Sequence, residues 1–189
     1  MSARREELTR IAARLFAEKG YQGTSLADLA EELGVQKPSL YHHIDSKEDL
    51  LWEIAQEGAA AFHVALDGVP PAPAPERIRL ALRAHLAVVA GQLDVATVFV
   101  REWRYLEGER QAQFLGERRR YEDRVRELFR EGVERGDLRT DLDLGTAGLL
   151  FLSAANWAYT WLRPGSDTEA LADRLYGALL EGMRGYATP

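Results

Sequence analysis

The sequence predicts an all-α protein, with three short helices at the N-terminus and a larger helical part behind them. Three observations carry that expectation. Apolar residues recur at i, i+3, i+4 and i+7 along nearly the whole chain, the period of a helix with one buried face. No stretch combines two-residue alternation with the hairpin dipeptides a sheet would need. The one strong interruption, four prolines between Pro70 and Pro75, joins helical segments rather than strands. The 189 residues are 46% hydrophobic and 29% charged, enough to bury a core without staples. The absence of cysteine excludes a disulfide framework, a zinc finger, an iron–sulfur cluster and a thiol nucleophile, and fits a reducing compartment.

Leu8, Ile11, Ala12, Leu15 and Phe16 form the stripe of a first helix, which Gly20 is placed to end, with Lys19 in its last turn. Thr24 or Ser25 caps a second helix, whose Leu26, Leu29, Ala30 and Leu33 keep the same spacing until Gly34 closes it. A third short helix starts near Lys37 and Pro38, where a proline's missing N–H costs nothing. Ser46 followed by Asp49 reads as a capping box for a fourth helix from 47 to about 66. After the extended segment 68–75, helical periodicity resumes over 76–91 and 94–106. A long charged helix covers 109–135, and residues 136–141 form a turn. Two final helices are expected at 144–162 and 168–186, separated by Arg163-Pro164-Gly165-Ser166.

No apolar run approaches the roughly 20 residues of a membrane span, and the N-terminus lacks the apolar core of a signal peptide. A cytoplasmic protein without membrane association is expected. The net charge of −6 looks unfavourable for nucleic acid, but it is unevenly spread. Residues 1–47 hold seven basic side chains (Arg4, Arg5, Arg10, Arg14, Lys19, Lys37, Lys47) and seven acidic ones (Glu6, Glu7, Glu18, Asp28, Glu31, Glu32, Asp45). The other 17 of 24 basic and 23 of 30 acidic residues therefore carry the whole excess. Binding follows where charge clusters, not its sum.

Residues 26–44 read LADLAEELGVQKPSLYHHI: a short helix, a tight turn at Gly34 and a second short helix, the layout of a helix-turn-helix. Ala30 lets the two helices approach, and Val35 and Leu40 point back into a small core. The exposed face of the second helix then presents Gln36, Lys37, Ser39, Tyr41, His42 and His43, donors and acceptors suited to base edges and phosphates in a major groove. His42 and His43 do not form a metal site, because neighbouring helical positions point about 100° apart.

From the first helix through Gly20-Tyr21, Gly23-Thr24-Ser25, LADLAEELGV, KPSLYHHI and SKEDLL, the chain resembles the TetR family of one-component transcriptional regulators. Ile44 stands where Phe is usual in that family, and Leu26 where Val is frequent. The resemblance implies a DNA-binding domain over 1–47 and a helical effector-binding and dimerisation domain over 48–189. It implies DNA contacts from Lys37, Ser39, Tyr41 and His42, with Tyr41 on a phosphate, and phosphate contact or packing from His43. Thr24 is expected to cap its helix and reach the DNA backbone, and Lys47 to supply a further phosphate contact.

The C-terminal half is expected to enclose an effector and to form a homodimer through the last two helices. The segment GLLFLSAANWAYTWL is apolar around most of its circumference, and Leu171, Leu175, Leu179 and Met183 form a stripe on the final helix. Phe99, Trp103, Trp157 and Trp161, with Arg101, Arg104 and Asn156 beside them, combine aromatic surface with a few polar groups, as a small-molecule pocket does and as an ordinary core with snorkelling arginines also does. FVREWRYLEGER, RRRYE and NWAYTW resemble the TetR subgroup that senses acyl-CoA thioesters, which implies such an effector; a hydrophobic ligand without CoA is the alternative. No Glu-x-x-His pair, Gly-rich phosphate loop or nucleophile motif is present, so no enzyme, cofactor or metal is expected.

Overall fold

The computed structural model describes residues 3–163 and 165–183, and holds no strand among them. In chain order the helices are α1 (Ala3–Lys19), α2 (Leu26–Leu33), α3 (Lys37–Leu40), α4 (Lys47–Asp67), α5 (Ala74–Gly91), α6 (Leu93–Arg101), α7 (Gly108–Glu134), α8 (Leu144–Asn156) and α9 (Thr168–Met183). Single 3-10 turns follow α6 at Trp103–Tyr105 and α8 at Trp157–Thr160. The last residues of the final helix as expected from sequence, 184–186, lie outside the described residues, as does Pro164. Among the described residues no single helix is long and apolar enough to cross a membrane.

Three boundaries among the described residues differ from the periodicity by two residues or more. Helix α5 starts two residues early, at Ala74, with Arg77 N–H donating to the Pro73 carbonyl at 3.0 Å. Pro75 therefore sits in the first turn, where no N–H is required. The expected helix over 94–106 ends at Arg101, and the one over 144–162 ends at Asn156. Both continue as tighter turns that keep the apolar spacing, which is why the pattern did not reveal the break.

The chain folds into two compact units: residues up to Ala60 together with Gln92–Glu117, and Ala61–Gly91 together with the chain from Arg118 onward. Helices α4 and α7 contribute to both. In the first unit, α1 packs against α2 and α6. Its core gathers Leu8, Ala12, Leu15 and Phe16 of α1, Leu29 and Leu33 of α2, and Leu50, Leu51 and Ile54 of α4; Leu40, Val98 and Phe114 complete it. Helix α6 joins this unit from far along the sequence because its buried Ala96, Thr97 and Val98 face α1.

The second unit is built around α5, whose Ile78, Ala81, Leu82, His85, Leu86 and Val89 are buried. It packs most extensively on α9 and also on α8. Charge pins the α5–α9 pair: Arg83 donates to both carboxylate oxygens of Asp173 at 2.9 and 2.5 Å, and Arg79 reaches the same group at 3.1 Å. The opposite side of α8 is apolar and uncovered, with Leu149 65% and Leu150 48% exposed. On α9, Leu171, Leu175 and Leu179 are only half-buried.

Candidate functional site

The helix-turn-helix is made by local chemistry. Ser25 caps α2 in a full capping box: its Oγ accepts from Asp28 N–H at 3.1 Å, and Asp28 accepts from Ser25 N–H at 2.7 Å. The Ser25 hydroxyl, which also donates to the Asp28 carboxylate at 2.5 Å, and the Ser25 N–H hold that carboxyl down at about 2. At the other end Gly34 has φ 70°, the left-handed conformation that a Cβ disfavours. That lets Val35 N–H donate to the Ala30 carbonyl at 2.9 Å and Gly34 N–H to Glu31 at 3.0 Å. The chain reverses at once into α3, which Pro38 starts within its first turn. Leu40 and Ile44 anchor α3 in the core, at 0% and 3% exposure. Gln36, Lys37, Tyr41 and His42 are left exposed, and Ser39 and His43 half-buried, on one polar face.

Two of the residues expected at the DNA have other employment. Thr24 is 1% exposed, and its hydroxyl donates to the Leu15 and Gly20 carbonyls at 3.2 and 2.9 Å. Ser25, not Thr24, caps α2, which corrects that part of the sequence expectation, and the Thr24 hydroxyl is turned into the interior. The reason lies in Gly23, where a Cβ would stand 2.3 Å from the Lys19 carbonyl oxygen. The close approach of the α1–α2 turn to the end of α1 pulls Thr24 inward and passes the cap to Ser25. Lys47 is also turned inward. Its Nζ donates to the Tyr21 and Thr24 carbonyls at 2.7 and 2.8 Å and lies 4.1 Å above the Tyr21 ring. Burial pulls its pKa down.

The same unit braces the recognition element with ion pairs. Ser46 and Asp49 form the expected box at the start of α4, with Ser46 N–H donating to Asp49 at 2.7 Å and Asp49 N–H to Ser46 at 3.2 Å. Arg110 of α7 donates to Asp49 at 2.7 Å, Glu107 N–H donates to Glu48 at 3.0 Å, and buried Glu102 accepts from Tyr21 N–H at 3.0 Å. Arg5 forks onto Glu53, which also accepts from Thr9 Oγ1 at 2.8 Å. Of these groups Arg5, Asp49, Glu53 and Arg110 line a cleft of about 270 Å³ together with Tyr41, His42 and His43.

The residues expected at an effector divide between the units. Phe99 and Trp103 belong to the first, where both pack on Phe114 at ring separations of 5.0 and 5.8 Å. Arg101 approaches the Glu102 carboxylate at 3.7 Å, and Arg104 Nε donates to the Arg101 carbonyl at 2.8 Å. Asn156, Trp157 and Trp161 belong to the second unit. Trp157 and Trp161 stand on its surface, 62% and 40% exposed, whereas Asn156 reaches inward beside His85.

Residues 8–54 match the profile of bacterial regulatory proteins of the tetR family, and residues 71–183 that of the tetracyclin repressor-like C-terminal domain. The chain belongs to the TetR family. Its likeness to individual TetR-family members runs end to end. It is 31% identical to the HTH-type transcriptional repressor KstR2 of Rhodococcus jostii (strain RHA1), over 96% of this chain and 92% of the relative. The TetR-family regulator PfmR of Thermus thermophilus superposes with a TM-score of 0.86 at 32% identity, covering 100% of both chains. AibR, crystallised with isovaleryl coenzyme A and operator DNA, gives a TM-score of 0.84 at 30% identity over 93% of this chain and 97% of that one. KstR2 and PfmR are named as transcriptional regulators, and residues 8–54, which carry the helix-turn-helix, are the part of this chain that matches the family's regulatory-protein profile.

One interior feature of this TetR-family chain was not found from sequence. His85 is 1% exposed, its Nδ1 lies 2.9 Å from the Tyr121 phenol oxygen, and its ring stacks on Phe62 at 4.5 Å. Burial pushes the imidazole down to about 3, with Asn156 opposing, and pushes the Tyr121 phenol up. Yet Nε2 has no hydrogen-bond partner. The available signal was His85 standing at an apolar-stripe position among Leu82, Leu86 and Val89. Tyr121 comes from another helix, and no local pattern joins the two.

Proposed function

We propose that this protein is a transcriptional repressor that holds a palindromic operator as a homodimer and releases it when an acyl-CoA thioester binds. The observation that carries the reading is the α3 surface. Gln36, Lys37, Ser39, Tyr41, His42 and His43 offer polar groups at the surface while Leu40 and Ile44 are anchored in the core. Two such faces address half-sites about one helical turn, 34–36 Å, apart. Lys37 is assigned to a base edge, and Tyr41 to a phosphate. In this reading the chain has no enzymatic role and works in the cytoplasm, where its operator is.

The second copy is supported by the apolar surface of α8 and the turn behind it, where Leu149, Leu150, Trp157 and Trp161 are uncovered. A lone chain rarely leaves so many large apolar groups together, and an isologous dimer covers them. Trp157 and Trp161 are accordingly assigned to that interface rather than to the effector. The thioester is supported by AibR, whose structure holds isovaleryl coenzyme A together with operator DNA. The CoA phosphates suit guanidinium forks, in which this chain is rich. An effector that binds better when the DNA-reading heads leave groove spacing weakens the operator complex by the same factor. About 1–3 kcal/mol of coupling releases DNA 5- to 150-fold.

The test is operator binding by fluorescence anisotropy with a Lys37→Ala/Tyr41→Ala variant, followed by thioester titration of the wild-type complex. The folded double variant is expected to lose specific binding and to show a flatter salt dependence. Unchanged operator affinity sinks the DNA reading. Release by an uncharged hydrophobic compound and by no thioester replaces the CoA effector with the hydrophobic one.

A further inference from the structure

We infer that His85 is the interior hydrogen-bond donor that reads the carbonyl oxygen of the effector's acyl group, with Tyr121 fixing the tautomer that makes it a donor. The inference rests on the acyl-thioester reading above and adds the residue that recognises the thioester. It stands first on a count of protons. The imidazole is neutral, so one ring nitrogen carries a proton and the other a lone pair. Tyr121 O–H has no partner other than His85 Nδ1 among the described residues. If Nδ1 held the proton, both the phenol proton and the Nε2 lone pair would be stranded in the interior. With Tyr121 donating to Nδ1, the proton sits on Nε2 and only that N–H is left over. A buried donor with no acceptor is uncommon in a native interior and points to an acceptor that arrives from outside.

The surroundings say what kind of acceptor. Phe62 stacks on the imidazole at 4.5 Å and Phe151 meets it edge-on at 6.4 Å, so the shell is aromatic. Arg124, the cation whose charge reaches Tyr121, is already committed to Asp67 at 2.5 Å and His63 at 3.3 Å. An ionised carboxylate placed here would lie buried without a counter-charge, which disfavours it strongly. An uncharged carbonyl accepts from Nε2–H at no such cost. A thioester carbonyl with an apolar acyl group satisfies both the donor and the aromatic shell; the free acid does not. Asn156, at the end of α8, is near enough to the same ring to interact with it through its side chain, but Nε2 itself makes no hydrogen bond of proper geometry, so its proton is the one an incoming oxygen would take up.

The experiment uses the full-length protein on operator DNA, with isovaleryl-, octanoyl- and phenylacetyl-CoA as probes and CoA and the free acids as controls. Exchanging both members of the pair in His85→Phe/Tyr121→Phe strands no polar group, so the variant is chosen for folding, checked by its melting curve. It is expected to need about tenfold or more thioester than wild type to release the operator. Tyr121→Phe alone, which unlocks the tautomer, is expected to fall between them. A double variant that releases DNA at the wild-type thioester concentration overturns the role of His85 and leaves the thioester reading standing. A wild-type complex indifferent to every thioester overturns that reading, and the carbonyl assignment with it. A second measurement depends on no variant: the one-bond ¹⁵N–¹H correlation of His85 in the protein alone. A proton on Nε2 that shifts when the releasing thioester is added is the expected result; a proton on Nδ1 overturns the assignment.

Discussion

The ammonium of Lys47 holds the α1–α2 turn closed by donating to two carbonyls, those of Tyr21 and Thr24. Lys47→Met should therefore lower the unfolding free energy by about 1–2 kcal/mol, because it strands the Thr24 carbonyl and leaves the Tyr21 carbonyl with only the Thr24 N–H. A pure phosphate contact would instead reduce the salt slope of operator binding by about one and leave stability alone. Urea titration beside a salt series separates the two, and unchanged stability would return Lys47 to the DNA. His85 makes a pH prediction. Its folded pKa, about 3, lies below the unfolded 6.5, so between those values the unfolded chain binds the extra proton. Stability is complete above pH 6.5 and falls as pH drops, by up to about 1.4 kcal/mol per unit from this group. Tyr121, protonated throughout, and Asn156 face the ring and do not reverse the sign. Denaturant midpoints between about pH 7 and pH 4.5 should show this slope in wild type and a shallower one in His85→Phe/Tyr121→Phe; equal slopes would contradict it.

At the level of the element, the helix-turn-helix depends on a few end signals more than on propensity. Helices of eight and four residues are too short to be stable alone, so α2 and α3 exist because their caps and buried leucines hold them. Gly34→Ala keeps every contact but forces a Cβ into the left-handed region at φ 70°, with open space around it. The expected loss is about 1–2 kcal/mol, smaller for Gly34→Asn, with a matching decline in operator affinity. Chemical denaturation of both variants measures it, and equal costs for Ala and Asn would show that conformation is not the cause. The C-terminal end of α1, the start of α3 and both ends of α2 and α4 were legible because each carries a cap, a glycine or a proline at its boundary. The ends of α6 and α8 were not, because apolar spacing continues through the 3-10 turns that replace them.

At the scale of the whole molecule, the uncovered face of α8 is the feature a single chain leaves unexplained. Leu149 is 65% exposed, so Leu149→Arg removes little packing within the chain and places a charge where the second copy is proposed to sit. The variant should sediment as a folded monomer with unchanged helicity and lose the palindrome, since one head offers half the contacts. A dimer that persists places the interface elsewhere. The division into two units also belongs to this scale. Helix α6 and the start of α7 join the N-terminal unit through contacts distant in sequence, Glu102 with Tyr21 and Arg110 with Asp49. Such pairs leave no mark on the local sequence pattern.

The all-α fold, the order of nine helices among the described residues and the polar face from Gln36 to His43 follow from the sequence by itself. Each is written in local terms, as apolar period, cap residue or turn glycine, and these act within a few residues of one another. Only the tertiary structure decided what Thr24, Lys47, Glu102 and His85 do. Their partners are carbonyls, a backbone N–H and a phenol that the fold brings in from other elements. A polar side chain has the same local signature whether it faces water, DNA or a buried acceptor. Its role is settled by what packs around it, and that is a property of the folded chain.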